Sequence, residues 1–204
     1  ENVMEKYGAI AYSKKSGSYG FSYGLDSKEI ARKRALAECD GDDAEIVVAS
    51  DWKWLALALS PSGEHGYGYD GDSADEAREM ALRRCKSKDS QAFVEICFSS
   101  QNGILYLKPG DGRMEQVSCP SCGKKGCFRE QSMGEMASDI GAFGKGVFGN
   151  PFKMFKAAVS VVSAGSWRNF ICTKCHSTVH QCGRCGNMEK YHHTDAVCSK
   201  CGYR

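Results

Sequence analysis

"YGFSYGLDSKEIARKRALAEC", residues 19–39, returns in altered form as "HGYGYDGDSADEAREMALRRC", residues 65–85. At an offset of 46 the two stretches agree at nine of 21 positions: Gly20/Gly66, Tyr23/Tyr69, Asp26/Asp72, Ser27/Ser73, Ala31/Ala77, Arg32/Arg78, Ala35/Ala81, Leu36/Leu82 and Cys39/Cys85. Identities held in one register across a strand-like and a helix-like segment indicate an internal duplication.

Each copy reads as β-β-α-β. An alternating strand opens it, "AIAYS" in the first and "LALALS" in the second. A Gly- and Ser-containing turn leads to a Tyr-rich strand, and Asp-Ser then opens a helix. Asp26-x-x-Glu29 and Ser73-x-x-Glu76 both have the spacing of a capping box. Ala31, Ala35 and Cys39, with Leu36 beside them, recur every four residues, as do Ala77, Ala81 and Cys85 with Leu82. Such a small-residue stripe lets a helix lie close on a sheet. "EIVVAS" and "FVEICFS" supply the third strands. The expectation is an α+β fold: one domain over 1–110, units about 7–50 and 54–100, both helices on one sheet face. Cys39 and Cys85 read as small core residues, with a disulfide as the alternative. Cys97 alternates with Val94, Ile96 and Phe98 and reads as core.

The motifs "YGAIAYS", "G-x-S-Y-G", "A-x-x-x-AL-x-x-C" and "WLALALS" resemble the bacterial domain-of-unknown-function family 4189, over about residues 7–100. The resemblance implies a fold but no activity. Members of that family are small and exported, with extra cysteines that look like disulfide partners. This sequence has "GDDAEI" and "DWKW" at those places.

No catalytic set emerges from the front half, and no enzyme is expected. His65 stands without a Cys or Asp at a persuasive spacing, and no G-x-x-x-x-G-K-[ST] loop is present. Asp40, Asp42, Asp43 and Glu45 lack the spacing of a calcium loop and read as a solvated turn.

The back half, residues 111–204, is different in kind. Four Cys-x-x-Cys pairs occur there: Cys119/Cys122, Cys172/Cys175, Cys182/Cys185 and Cys198/Cys201. A Cys-x-x-Cys turn puts two thiolates on one side of a knuckle, and two facing knuckles make a tetrahedral S4 site suited to Zn(II). The eight cysteines therefore predict two structural zinc ions in a module that resembles a double zinc ribbon. Sequential pairing, first knuckle with second and third with fourth, is favoured. A cross-brace, first with third and second with fourth, is the competitor. Cys127 reads as a bystander, and His176, His180, His192 and His193 as surface or supporting groups. A site with four sulfur ligands has no open position, which argues against catalysis.

Residues 131–167 interrupt the first pair of knuckles. Met133, Met136, Ile140, Phe143 and Val147 recur at three and four, and Phe152, Phe155, Val159 and Val162 follow Pro151 in the same way. This predicts an inserted amphipathic helical hairpin. It can pack on the chain's own core, or on a protein partner or a second copy of itself. It can also meet a membrane surface, with Lys145, Lys153 and Lys156 toward headgroups.

Residues 1–110 carry 14 Lys/Arg and 18 Asp/Glu, a balance of −4; residues 111–204 carry 13 and 7, a balance of +6. The basic end offers a nucleic-acid surface as the alternative function. Arg168, Lys174, Arg184, Lys190 and Arg204 would supply charge, and Trp167, Phe170 and Tyr191 stacking faces. No small-molecule substrate is expected. Paired, Gly-flanked cysteines suggest a reducing, cytoplasmic location, or export if a leader has been removed. The leading reading is a zinc-stabilised binding or self-assembly protein that works through its insertion.

Overall fold

Ser27 and Ser73 start the two helices at equivalent places. Each serine Oγ accepts the backbone N–H three residues on, Ile30 or Glu76, at 3.2 Å. The helices are α1 (Lys28–Ala37) and α2 (Ala74–Lys86). Asp26 is not the cap expected from its spacing with Glu29. Its carboxylate pairs with Lys6 instead, and the cap falls at Ser27, in register with Ser73. The computed structural model describes residues 5–132, 167–190 and 197–202. It divides into two compact units, Glu1–Met114 and Glu115–Arg204.

The first unit holds two three-stranded antiparallel sheets. One is built from β1 (Tyr7–Tyr12), β2 (Tyr19–Leu25) and β3 (Glu45–Ser50), in the order β2-β1-β3. The other uses β4 (Trp54–Leu59), β5 (His65–Asp70) and β6 (Phe93–Ser99), in the order β5-β4-β6. In both, the central strand alternates small and large side chains. Ala9 and Ala11 face one way and Ile10 and Tyr12 the other; Ala56 and Ala58 oppose Leu55 and Leu57. All eight are buried.

The alanine faces receive the helices. Ala9 and Ala11 pack with Ala31, Ala35 and Cys39. Ala56 and Ala58 pack with Ala77, Ala81, Cys85 and Cys97. The approach is so close that a Cβ on Gly68 would lie 1.9 Å from the Ala77 carbonyl oxygen, so glycine is required in that strand. Cys39, Cys85 and Cys97 are buried and form no disulfide. The Cys39 and Cys85 sulfurs donate to Ser18 and Glu64 carbonyls at 3.5 Å, positions equivalent at the offset of 46.

The large-residue faces meet each other. Phe21 packs on Phe98 with ring centroids 4.9 Å apart, and the Tyr12 hydroxyl donates to the Gly63 carbonyl at 3.0 Å. The layers therefore run helix, sheet, sheet, helix. This corrects the expected single sheet with both helices on one face. Such a sheet would leave Ile10, Leu55 and Leu57 in water; stacking two sheets buries them.

Residues 101–114, which carry no repeat signal, complete the unit. The chain turns at Gly103 and pairs back on β6, with Ser99 N–H donating to Ile104 O and Tyr106 N–H to Cys97 O, both at 2.8 Å. Leu105, Leu107 and Met114 are buried. Asp111 receives both terminal nitrogens of Arg78 at 2.5 and 2.7 Å. Residues 101–114 thus belong to the first unit.

The second unit is one four-stranded antiparallel sheet of β7 (Phe128–Glu130), β8 (Trp167–Cys172), β9 (Thr178–Cys182) and β10 (Met188–Lys190), in the order β10-β9-β8-β7. Phe128, Phe170, Val179 and Met188 are buried there. The expected helical hairpin within 131–167 lies almost wholly outside the described residues. Gln131 remains at the sheet, its N–H donating to Asn169 O at 3.3 Å. Among the described residues no helix is long and apolar enough to cross a membrane.

Candidate metal centres

Each knuckle is the same backbone turn. The carbonyl of the first cysteine accepts the N–H four residues on: Cys119 from Gly123 at 2.8 Å, Cys172 from His176 at 2.9 Å, Cys182 from Gly186 at 2.8 Å and Cys198 from Gly202 at 2.8 Å. The donor residue sits in the left-handed region, with φ of 72°, 59°, 71° and 69° in that order. Three of the four are glycine, which adopts this conformation without cost to its side chain. His176 is the exception, and among the described residues it is the one non-glycine with positive φ. His176→Gly is therefore expected to raise the stability of this unit by about 1 kcal/mol. Gly186→Ala should lower it by a similar amount. Thermal unfolding of both variants checks the opposed signs.

The knuckles cap the sheet at two ends. Cys172–Cys175 forms the turn between β8 and β9; Cys182–Cys185 forms the turn between β9 and β10. One tetrad gathers Cys119, Cys122, Cys172 and Cys175, and the other Cys182, Cys185, Cys198 and Cys201. The grouping is first knuckle with second and third with fourth. An extended β9 sets it: five residues at about 3.4 Å each hold knuckles two and three roughly 17 Å apart, so they cannot share an ion. The two centres share β9 and one continuous sheet.

Sulfur spacing tests whether a metal fits. A tetrahedral S4 centre with bonds of about 2.3 Å has edges of about 3.8 Å. Cys119 and Cys175 stand 3.8 Å apart, Cys122 and Cys172 3.7 Å, Cys182 and Cys201 3.7 Å, and Cys185 and Cys198 3.5 Å. Disulfides need about 2.05 Å. Both tetrads can each hold one metal ion.

Electrostatics distinguish the sulfurs. Burial pushes the Cys172 thiol up, but N–H donors from Cys175 and Lys174 outweigh it and bring the group down to about 6. Cys122 receives a helpful N–H from Lys124, yet burial and the neighbouring cysteines leave it at about 12. Cys185 is raised to about 11, chiefly by burial, and Cys182 is raised for the same reason. A cation must displace the protons of these thiols, so binding releases protons and acid opposes it.

Several supporting groups carry no sequence signal. Glu189 on β10 accepts from Ser199 N–H at 2.6 Å, Ser199 Oγ at 2.7 Å and Asn187 Nδ2 at 2.9 Å. It ties the last knuckle to the sheet. Cys127, five residues after Cys122 and in no Cys-x-x-Cys pair, lies 3.3 Å from Cys172 Sγ. It is a fifth sulfur beside the first tetrad and is not one of its four members. His176 and His180 lie in the knuckle turn and on β9, outside both tetrads; His192 and His193 fall outside the described residues.

Phe170 is fully buried, and Arg168 lies over its ring at 5.1 Å while pairing with Glu130. Phe170 is thus a core residue and not the stacking face that the nucleic-acid alternative assigned to it. Tyr191 and Arg204 fall outside the described residues.

Compared with known proteins, residues 7–98 match the model of a domain of unknown function, DUF4189. No curated protein and no solved structure matches the chain.

Proposed function

We propose that this chain is a non-enzymatic, zinc-stabilised binding or assembly protein, with residues 7–50 and 54–100 as two copies of one duplicated unit. The observation that carries the reading is the pair of all-sulfur tetrads. Thiolate-only tetrahedral sets suit zinc, and four sulfurs leave no position for substrate or water. The metals are then structural. Eight reduced thiols also fit a reducing compartment.

The contact surface is the segment 131–167. Its ends belong to adjacent strands: Glu130 on β7 pairs with Phe170 on β8, and Arg129 with Ile171. The chain therefore leaves and re-enters the sheet between neighbours, and its length costs the metal centre little closure entropy. Tolerance does not account for its composition. Phe143, Phe148, Phe152, Phe155, Val159 and Val162 are a poor choice for a solvated loop. Burial of three or four of them contributes roughly 5–10 kcal/mol before ordering costs. In this reading they dock on a second copy or on a protein partner.

Replacing Phe143, Phe152 and Phe155 together with Ser tests it. The expected result is loss of association in native particle mass, with two zinc ions per chain by elemental analysis in both proteins. A monomeric wild-type chain that unfolds on this substitution would place the side chains in its own core. One zinc or none in the wild type would remove the two-site reading.

A further inference from the structure

Two sheet edges of the first unit occupy equivalent positions and are finished differently. On the β5 edge, Arg84 of α2 donates from Nη1 to the Tyr67 carbonyl at 2.9 Å. Its guanidinium carbon lies 4.5 Å from the centre of the Tyr67 ring and 5.7 Å from that of Tyr69. Those rings stack with centroids 6.5 Å apart and planes at 23°. An arginine from the chain itself thus plugs this edge.

Among the described residues the β2 edge repeats the seat without the plug over Tyr19–Tyr23; beyond it, Gly24 N–H already donates to Ser100 O at 2.7 Å. Phe21 and Tyr23 stack with centroids 6.4 Å apart and planes at 29°, matching Tyr67 and Tyr69. The register is also the same: Phe21 lies opposite Ile10 as Tyr67 lies opposite Leu57. The Phe21 carbonyl therefore points out of the sheet, as that of Tyr67 does. At the offset of 46, the residue in the place of Arg84 is Glu38, a carboxylate that cannot donate to a carbonyl. A cleft of about 550 Å³ opens here, lined by Phe21, Tyr23, Arg34 and Glu38 among others. Arg113 also lines it but is hydrogen-bonded to Tyr19 and faces the charge of Glu95.

We propose that the β2 edge is a docking site for an extended protein segment bearing an arginine, which adds as a strand and seats its guanidinium as Arg84 is seated on the β5 edge. A backbone N–H of the incoming segment donates to the Phe21 carbonyl. The guanidinium stacks on Phe21 and Tyr23 and pairs with Glu38, supplying cation–π and charge-assisted contacts. Arg34, one helical turn before Glu38, disfavours a second cation and so limits the seat to one.

The probe is a fluorescent peptide, acetyl-Thr-Val-Arg-Val-Thr, titrated with the full chain by anisotropy, beside a peptide with Glu in place of Arg. The arginine peptide is expected to bind, and the glutamate peptide to bind at least about tenfold more weakly. Glu38→Arg is expected to cost a similar factor, because the new side chain closes the edge as Arg84 does. The peptide pair reads the contact without altering the protein. Equal or tighter binding of the glutamate peptide overturns the proposal, as does undiminished binding to a folded Glu38→Arg variant. So does no binding of the arginine peptide to the wild-type chain. Each outcome is read at unchanged zinc content, which separates it from the fate of the metal reading.

Discussion

Stripping bound metal from the full chain with a strong chelator is expected to unfold residues 115–204 and to leave residues 1–114 folded. Among the described residues of the second unit little else holds the fold. β7 and β10 are three residues each, and its apolar core is a handful of side chains, among them Phe128, Phe170, Val179 and Met188. A sheet this small is marginal by area alone. Structural zinc supplies an apparent binding free energy of about 10–16 kcal/mol at neutral pH, and this is folding free energy where the site does not exist in the unfolded chain. The first unit has two helices, two sheets and its own core, with no sulfur tetrad among its described residues. Hydrogen exchange should show protection lost across β8 and β9 and kept across β1 and β4. Protection retained in both units after complete metal removal would mean that the tetrads do not support the fold.

Asp111→Ala is expected to destabilise the first unit by about 3–5 kcal/mol. The Arg78 and Asp111 side chains are only 11% and 4% exposed. Their two-point pair sits where residues 101–114 close over α2. The Asp111 carboxylate also accepts the Lys108 N–H at 2.7 Å. Removing it leaves a guanidinium buried and uncompensated, and that penalty dominates the loss. Replacing both partners with apolar residues, Arg78→Met with Asp111→Val, removes the charge as well and should recover part of the stability. Urea unfolding of the single and double variants checks the order. A single variant within about 1 kcal/mol of wild type would show that Arg78 finds water on losing its partner.

Much of this architecture is legible locally. The alternation in "AIAYS" and "LALALS" and the four-residue recurrence of Ala31, Ala35 and Cys39 mark strands and helices because side-chain direction follows backbone period. Aligning the two copies even identifies Ser27 as the cap, since Ser73 occupies the same place, although the Asp26–Glu29 spacing points one residue too early. The eight paired cysteines are equally legible, because a knuckle is a turn of a few residues whose need for glycine is written at Gly123, Gly186 and Gly202.

What resists reading is which surface meets which. Alternation shows that Ile10, Leu55 and Leu57 must be covered, but not that a second sheet covers them. Asp111 and Arg78 are 33 residues apart, and no periodicity links them. Glu38 and Arg84 look like an ordinary substitution between copies until the Tyr67 carbonyl shows what Arg84 does. Cys127 has no pair in spacing and yet reaches Cys172 across the β7–β8 ladder. The sequence by itself therefore determined the strands and helices of the first unit and the cysteines that gather into two tetrads, since these depend on neighbours within a few residues. The tertiary structure alone decided the stacking of two sheets, the shared strand between the centres and the unlike edges, because apolar burial is non-directional and leaves the choice of partner to the global packing.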